Sequence, residues 1–266
     1  MSAAIAGNKW FLVSSKKALG VVILIHGLNQ NPASWKDMIP ALKRWGYHVY
    51  LLCLKGHRGL TVDGIFKVNA EVWLQNFIDG YRDAESTFPL LPRMLVAYSL
   101  GGLVSTVAQG KLATTLFDRQ VLLAPAIVTK PYTRLALLLS KFLPQIPSGS
   151  PEYYRANKNG VSAAGYRALF DLENKLRHEQ PNAYPKCPTR IVMRKDDELI
   201  SYKGIKKLIE KKKLKSYKIL TVPTDMKEKY IPPYKHLVID QQGLGEKGWQ
   251  WLLGEMKTFF TRDNNV

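Results

Sequence analysis

The sequence predicts an α/β fold in which a mostly parallel central sheet is covered by helices on both faces. Strand-like segments such as Val21-Val22-Ile23-Leu24-Ile25 are apolar at every position, the pattern of a strand buried on both sides. Segments of helical periodicity separate them along the whole chain, so neighbouring strands are joined by crossovers and run parallel. With 266 residues, 46% of them hydrophobic, the chain can bury one full core and still carry an insertion.

Trp10-Phe11-Leu12-Val13 reads as an early strand, and Val21 to Ile25 as the first central one. Ser34-Trp35-Lys36-Asp37 opens a helix that runs through Leu42, with Trp45-Gly46 stopping it. Tyr47 to Leu54 forms the next strand, and Gly56-His57-Arg58-Gly59 after it reads as a tight turn. A helix spans Val68 to Tyr81, placing Leu74, Phe77, Ile78 and Tyr81 on one face. Met94 to Tyr98 is a strand, with Gly102 to Lys111 the helix behind it. Gln120 to Ala124, Arg190 to Met193 and Tyr217 to Val222 are the later strands. The last helix turns Trp249, Leu252, Leu253 and Met256 inward.

One interval breaks this rhythm. Residues 125–189 are too many for a simple crossover. They hold a strongly apolar helix from Arg134 to Leu143, a loop through Pro144, Pro147 and Pro151, and a second helix from Ala163 to His178. An insertion at this end of the sheet would lie over a site there as a lid, while Leu137 to Leu139 could equally pack on the core. The chain thus divides into a first core part, 1–126, a helical cap insertion, 127–185, and a second core part, 186–266.

Composition narrows the function classes. Lys and Arg total 39 against 21 Asp and Glu, a net charge of +18, and such a surface attracts anionic partners. The densest basic stretch, Lys203 through Lys218, has Ile205, Leu208 and Ile209 at helical spacing, which reads first as a solvated helix face. No aromatic residue interleaves with the lysines from Lys206 to Lys215, which argues against nucleic acid. Contact with an acidic membrane suits the charge better. Two cysteines, Cys53 and Cys187, give neither a disulfide framework nor a metal spacing. Met1 to Gly7 lacks the basic start and apolar length of a signal peptide, and no run approaches the ~18 apolar residues of a membrane span. A cytoplasmic protein is expected.

The chemistry centres on Leu95-Val96-Ala97-Tyr98-Ser99-Leu100-Gly101-Gly102, a strand that stops at a serine and turns directly into a helix. A serine hydroxyl becomes a useful nucleophile when such a turn holds it within reach of a histidine. Ala97 takes the first glycine position of the G-x-S-x-G elbow, and Gly101 keeps the last. Upstream, His26-Gly27-Leu28-Asn29 leaves a central strand as a small turn able to aim the Leu28 N–H at a developing oxyanion, with the N–H of Leu100 as the second donor. His26 itself reads either as part of that site or as a structural cap.

A base should come from a later loop at the same end of the sheet. Of the five histidines, His48 lies within a strand, His178 in the insertion and His57 in a turn before the serine. His236, in Ile231-Pro232-Pro233-Tyr234-Lys235-His236-Leu237, occupies the place required by the chain order Ser…Asp/Glu…His. The orienting acid belongs after Met193, where Asp196, Asp197 and Glu198 stand side by side. Spacing does not choose among them.

Taken in order, His26-Gly27-Leu28, Gly56-His57-Arg58-Gly59, Ala97 to Gly102, Asp196 to Ser201 and Lys235-His236-Leu237 resemble the α/β-hydrolase superfamily. More narrowly they resemble its monoacylglycerol lipase and lysophospholipase group, which carries a helical cap at this place. The acid of that family follows a strand in the pattern G-x-x-D-x-aliphatic-aliphatic, which selects Asp197 here, with Arg194 in the glycine's place. The resemblance implies a serine carboxylic-ester hydrolase using Ser99, His236 and Asp197, with no metal or cofactor. It implies a small-molecule or lipid ester substrate whose acyl chain meets the apolar lid at residues such as Leu138 and Phe142. A thioesterase or amidase on the same triad is the alternative. A non-catalytic ligand-binding protein of this fold is disfavoured because no triad residue is missing.

Overall fold

The computed structural model describes residues 7–14, 18–57, 67–223 and 234–261. The strands are β1 (Lys9–Phe11), β2 (Gly20–Ile25), β3 (Tyr47–Leu52), β4 (Arg93–Tyr98), β5 (Arg119–Leu123), β6 (Gln145–Ile146), β7 (Val161–Ser162), β8 (Thr189–Met193) and β9 (Tyr217–Thr221). The α-helices are α1 (Met38–Arg44), α2 (Ala70–Thr87), α3 (Leu100–Leu112), α4 (Leu135–Leu139), α5 (Ala163–His178), α6 (Tyr202–Lys211) and α7 (Gln241–Thr261). Arg58-Gly59, Ile231-Pro232-Pro233 and Met1 to Ala6 lie outside the described residues.

The main sheet has the order β1-β3-β2-β4-β5-β8-β9 and is parallel except at β1. This is the α/β-hydrolase arrangement expected from the sequence. All residues of β2 and β3 are buried, as the unbroken apolar run of β2 requires. From β2 the chain moves outward to β3 and then returns to place β4 on the other side of β2. Ligand crevices in open α/β sheets form at such a reversal, outside the carboxyl ends of the strands. There Ile25 pairs with Ala97, so the turns beginning at His26 and Ser99 emerge side by side.

The helix expected from Ser34 to Leu42 is divided into a 3-10 turn, Pro32–Lys36, and α1. Pro40 has no N–H to donate, and the division leaves it in the first turn of α1, where none is needed. The apolar helix expected over 134–143 is shorter still. A 3-10 turn, Pro131–Arg134, leads into α4, which ends at Leu139. Beyond Leu139 the chain tightens into turns, with the N–H groups of Lys141 and Phe142 bonded to the carbonyls of Leu138 and Leu139, and Arg167 Nη1 takes the Ser140 carbonyl at 3.0 Å.

The second helix of the insertion, α5, packs on α2 and α3, so part of the insertion belongs to the core. Its Glu173 is buried at 1% exposure and is fully paired. The carboxylate accepts the Thr129 N–H at 2.9 Å and meets Arg134 at 2.7 Å and Arg177 at 3.4 Å. A buried charge persists only with such partners, and these tie the start of the insertion to α5. Among the described residues no helix is long and apolar enough to cross a membrane.

Candidate active site

Ser99 stands between β4 and α3 with φ +48° and ψ −111°, outside the region that side-chain-bearing residues favour. Main-chain bonds hold it there. Its N–H donates to Leu123 O at 2.9 Å, and its carbonyl accepts from Ala126 N at 2.9 Å and Leu103 N at 3.2 Å. The turn also needs Gly101, since a Cβ there would stand 2.8 Å from the carbonyl oxygens of Ile25 and His26.

His236 Nε2 lies 2.9 Å from Ser99 Oγ, and His236 Nδ1 lies 2.8 Å from Asp197 Oδ2. Asp197 is fully buried, and its other oxygen accepts the N–H groups of Leu199 and Ile200 at 2.8 Å each. Burial pushes this carboxyl up, but the charge and hydrogen bond of His236 and the two N–H donors outweigh it and hold the group below the usual carboxylate range. Of the three adjacent acids, Asp197 alone meets the imidazole. Asp196, half-exposed, pairs with Lys235 and Arg194, while Glu198 accepts the N–H groups of Lys235 and His236. From the other side Tyr98 donates its hydroxyl to the His236 carbonyl at 3.3 Å.

The turn after β2 presses closely on the serine. A Cβ on Gly27 would sit 2.8 Å from the Tyr98 ring and 3.2 Å from Ser99 Cβ, so only glycine permits this approach. Among the described residues the N–H groups of Leu28 and Leu100 have no hydrogen-bond acceptor. The rest of the turn is well anchored. Gly27 donates to Gln30 Oε1, and Asn29 exchanges hydrogen bonds with Ala156 and Asn157 of the insertion.

His26 and His57 support the turn from behind. Leu54 N–H donates to His26 Nε2 at 3.0 Å, so the ring proton sits on Nδ1 and is given to Gly27 O at 2.9 Å. By the same logic His57 accepts the Asn29 N–H on Nε2 at 3.0 Å and gives its Nδ1 proton to Leu54 O at 3.3 Å. Both rings are buried and need to be neutral. Burial lowers His26 to about 4, and burial with the neighbouring His26 lowers His57 well below the ordinary histidine value. His26 therefore has the structural role. His57, read from sequence as a turn residue, orients the Asn29 end of the same loop; the glycine before it gives no hint of a partner 28 residues upstream.

Depressed native pKa values make a signed prediction. The unfolded chain binds protons first as pH falls below about 6.5, so stability present at neutral pH is lost between there and about 4 for His26. The loss from His26 alone is about 2 kcal/mol by pH 5, and His57 adds to it. Urea unfolding midpoints at pH 7 and pH 5 check this, and equal midpoints would contradict the neutral pair.

A cavity of about 330 Å³ opens at Ser99 and His236 and reaches under the insertion. Leu135, Ala136, Leu139, Leu169 and Phe170 form its apolar wall, with Thr129, Ser148, Ser150 and Tyr234 among its polar groups. Leu138 and Phe142, expected to line it, face outward at 52% and 77% exposure. Ending α4 early turns Leu135 and Leu139, one helical turn apart, toward the cavity and leaves those two outside. No group of His, Cys, Asp or Glu able to hold a metal ion occurs among the described residues.

The family model described as serine aminopeptidase, S33 (Hydrolase_4) matches residues 16–224. A monoacylglycerol lipase of Mycolicibacterium smegmatis is 27% identical over 246 residues, covering 83% of this chain and 85% of the relative. The solved structure of a soluble variant of monoglyceride lipase from Saccharomyces cerevisiae superimposes with a TM-score of 0.77 at 16% identity, covering 96% of this chain and 90% of that one. A monoacylglycerol lipase from Paleococcus ferrophilus gives 0.67 at 17% identity, covering 94% and 98%.

Proposed function

The chain belongs to the serine aminopeptidase S33 family of α/β-hydrolases, and from that premise we propose a carboxylic-ester hydrolase acting on neutral monoacyl lipids, monoacylglycerols above all. The observation that carries this reading is the unbroken line Ser99 Oγ, His236 Nε2, His236 Nδ1, Asp197 Oδ2, with contacts of 2.9 and 2.8 Å, at the mouth of an apolar cavity. Ser99 attacks the ester carbonyl while His236 takes its proton, and Asp197 stabilises the imidazolium. The N–H groups of Leu28 and Leu100 receive the oxyanion. His236 then gives the proton to the leaving alcohol, and a water activated by the same base releases the acyl group.

Cavity chemistry supports this substrate class. Among the described residues its lining contains no lysine, arginine, aspartate or glutamate. A peptide amino terminus would bury an ammonium there without a carboxylate, and a lysophospholipid a phosphate without a cation, each at a large desolvation cost. A glycerol head group asks only for hydroxyl partners. On this reading residues 127–185 act as the cap over the cavity. Its exposed Leu138, Phe142 and Leu143 face the lipid surface that presents the substrate, flanked by Lys130 and Lys141, which favour anionic lipid.

Activity against matched monooleoylglycerol, lysophosphatidylcholine, oleoyl thioester and aminoacyl amide tests the proposal, and preference for the amide or the phospholipid would overturn it. For soluble p-nitrophenyl esters, kcat/KM should rise with acyl length by up to about fourfold per methylene, following ~0.8 kcal/mol of burial each, until the cavity is full. Leu139→Glu should flatten that rise. Leu138→Glu and Phe142→Glu should spare soluble esters and weaken turnover of vesicle-borne substrate only. Equal effects of all three on every substrate would remove the distinction between the cap's inner and outer faces.

A further inference from the structure

Asp196 and Glu198 take no part in the proton relay, yet both hold the segment that carries its base. Glu198 Oε2 accepts the Lys235 N–H at 3.0 Å, and Oε1 accepts the His236 N–H at 3.1 Å. Asp196 Oδ2 meets Lys235 Nζ at 2.8 Å, and its Oδ1 meets Arg194 Nε at 3.1 Å. With Asp197 on the imidazole, three consecutive carboxylates after β8 grip two consecutive residues ahead of α7.

His236 belongs to neither helix nor strand, so no ladder fixes its main chain. The bond from Nδ1 to Asp197 restrains one ring atom and leaves the Cα free to pivot about it. Two charge-assisted bonds to successive main-chain N–H groups remove that freedom, and the Tyr98 hydroxyl on the His236 carbonyl completes the restraint. A displacement of about 1 Å between base and nucleophile can cost on the order of a hundredfold in rate.

We propose that Glu198 is a positioning residue for the base: its carboxylate, spanning the N–H groups of Lys235 and His236, sets the distance from imidazole to Ser99. The proposal rests on the reading of His236 as general base. Asp196 contributes less, because its ion pair with Lys235 is about half exposed and screened by solvent. Glutamine at position 198 could keep one of the two bonds, since its amide nitrogen would face an N–H with another N–H.

Glu198→Ala should lower kcat on a soluble ester about 10- to 100-fold, with KM within about threefold and a thermal midpoint within about 5 °C of wild type. The rate of fluorophosphonate labelling should fall in parallel. Glu198→Gln should recover part of the loss, remaining about threefold to tenfold slow, and Asp196→Asn should stay within about fivefold. A wild-type kcat in Glu198→Ala, or a loss falling wholly on KM, overturns the proposal. Should the alanine variant not fold, Glu198→Gln decides, and wild-type kcat there overturns it equally. Ser99→Ala serves as the reference: if it retains activity, the triad reading has failed, whereas an inactive Ser99→Ala beside an unimpaired Glu198→Ala removes the positioning role alone.

Discussion

Ser99→Ala should reduce ester turnover by about 10⁴-fold or more while leaving the fold as stable as before. The size of the effect follows from roles that act as a unit: with the nucleophile gone, His236 and Asp197 have nothing to activate, and losing one triad member costs nearly as much as losing all. The fold should be indifferent because Ser99 is held by its main chain. Its N–H reaches Leu123 and its carbonyl reaches Leu103 and Ala126, and none of these bonds involves the hydroxyl. Alanine at φ +48° meets the same backbone strain as serine, so the elbow should form unchanged. Steady-state kinetics on a soluble ester, mass spectrometry of the fluorophosphonate-labelled peptide and a thermal melt make the test. Turnover within tenfold of wild type, or a label on another residue, would show that a different group attacks.

What the sequence disclosed and what it concealed separate along physical lines. Ser99 and His236 were legible because each follows from a local pattern plus chain order: an apolar strand ending in a small-residue turn, and a histidine after the last strand. The central strand β2 was legible for the same reason, since it is buried at every position and its apolar run reads that way. Orientation within α4 was not. Leu135-Ala136-Leu137-Leu138-Leu139 is apolar all round, so periodicity holds no information about which side looks inward. The Ser140 carbonyl just beyond it is taken by Arg167, a residue 27 positions away. The support of the turn after β2 was hidden likewise, because the His57 to Asn29 contact joins residues 28 apart that share no motif.

The acid was the least legible member of the site because three carboxylates in a row serve one loop, and substitution separates them. Asp197→Asn should lower kcat by about 10³- to 10⁴-fold, through the histidine's tautomer rather than through lost charge alone. Asp197 Oδ1 accepts two N–H groups, from Leu199 and Ile200, at 2.8 Å each. An asparagine must therefore keep its carbonyl oxygen there, because the reversed amide would set a donor against two donors. Its NH₂ is then forced toward His236 Nδ1. Facing a donor, Nδ1 has to be unprotonated, and the ring proton moves to Nε2, the atom that must accept from Ser99. The base is thus present, correctly placed and filled. Asp196→Asn breaks only half-exposed ion pairs, worth up to about 1 kcal/mol, or roughly fivefold at most. Parallel measurement of kcat/KM for the two variants on one soluble ester decides the register. A larger loss in Asp196→Asn than in Asp197→Asn would mean that the working enzyme does not use the 2.8 Å contact between Asp197 and His236.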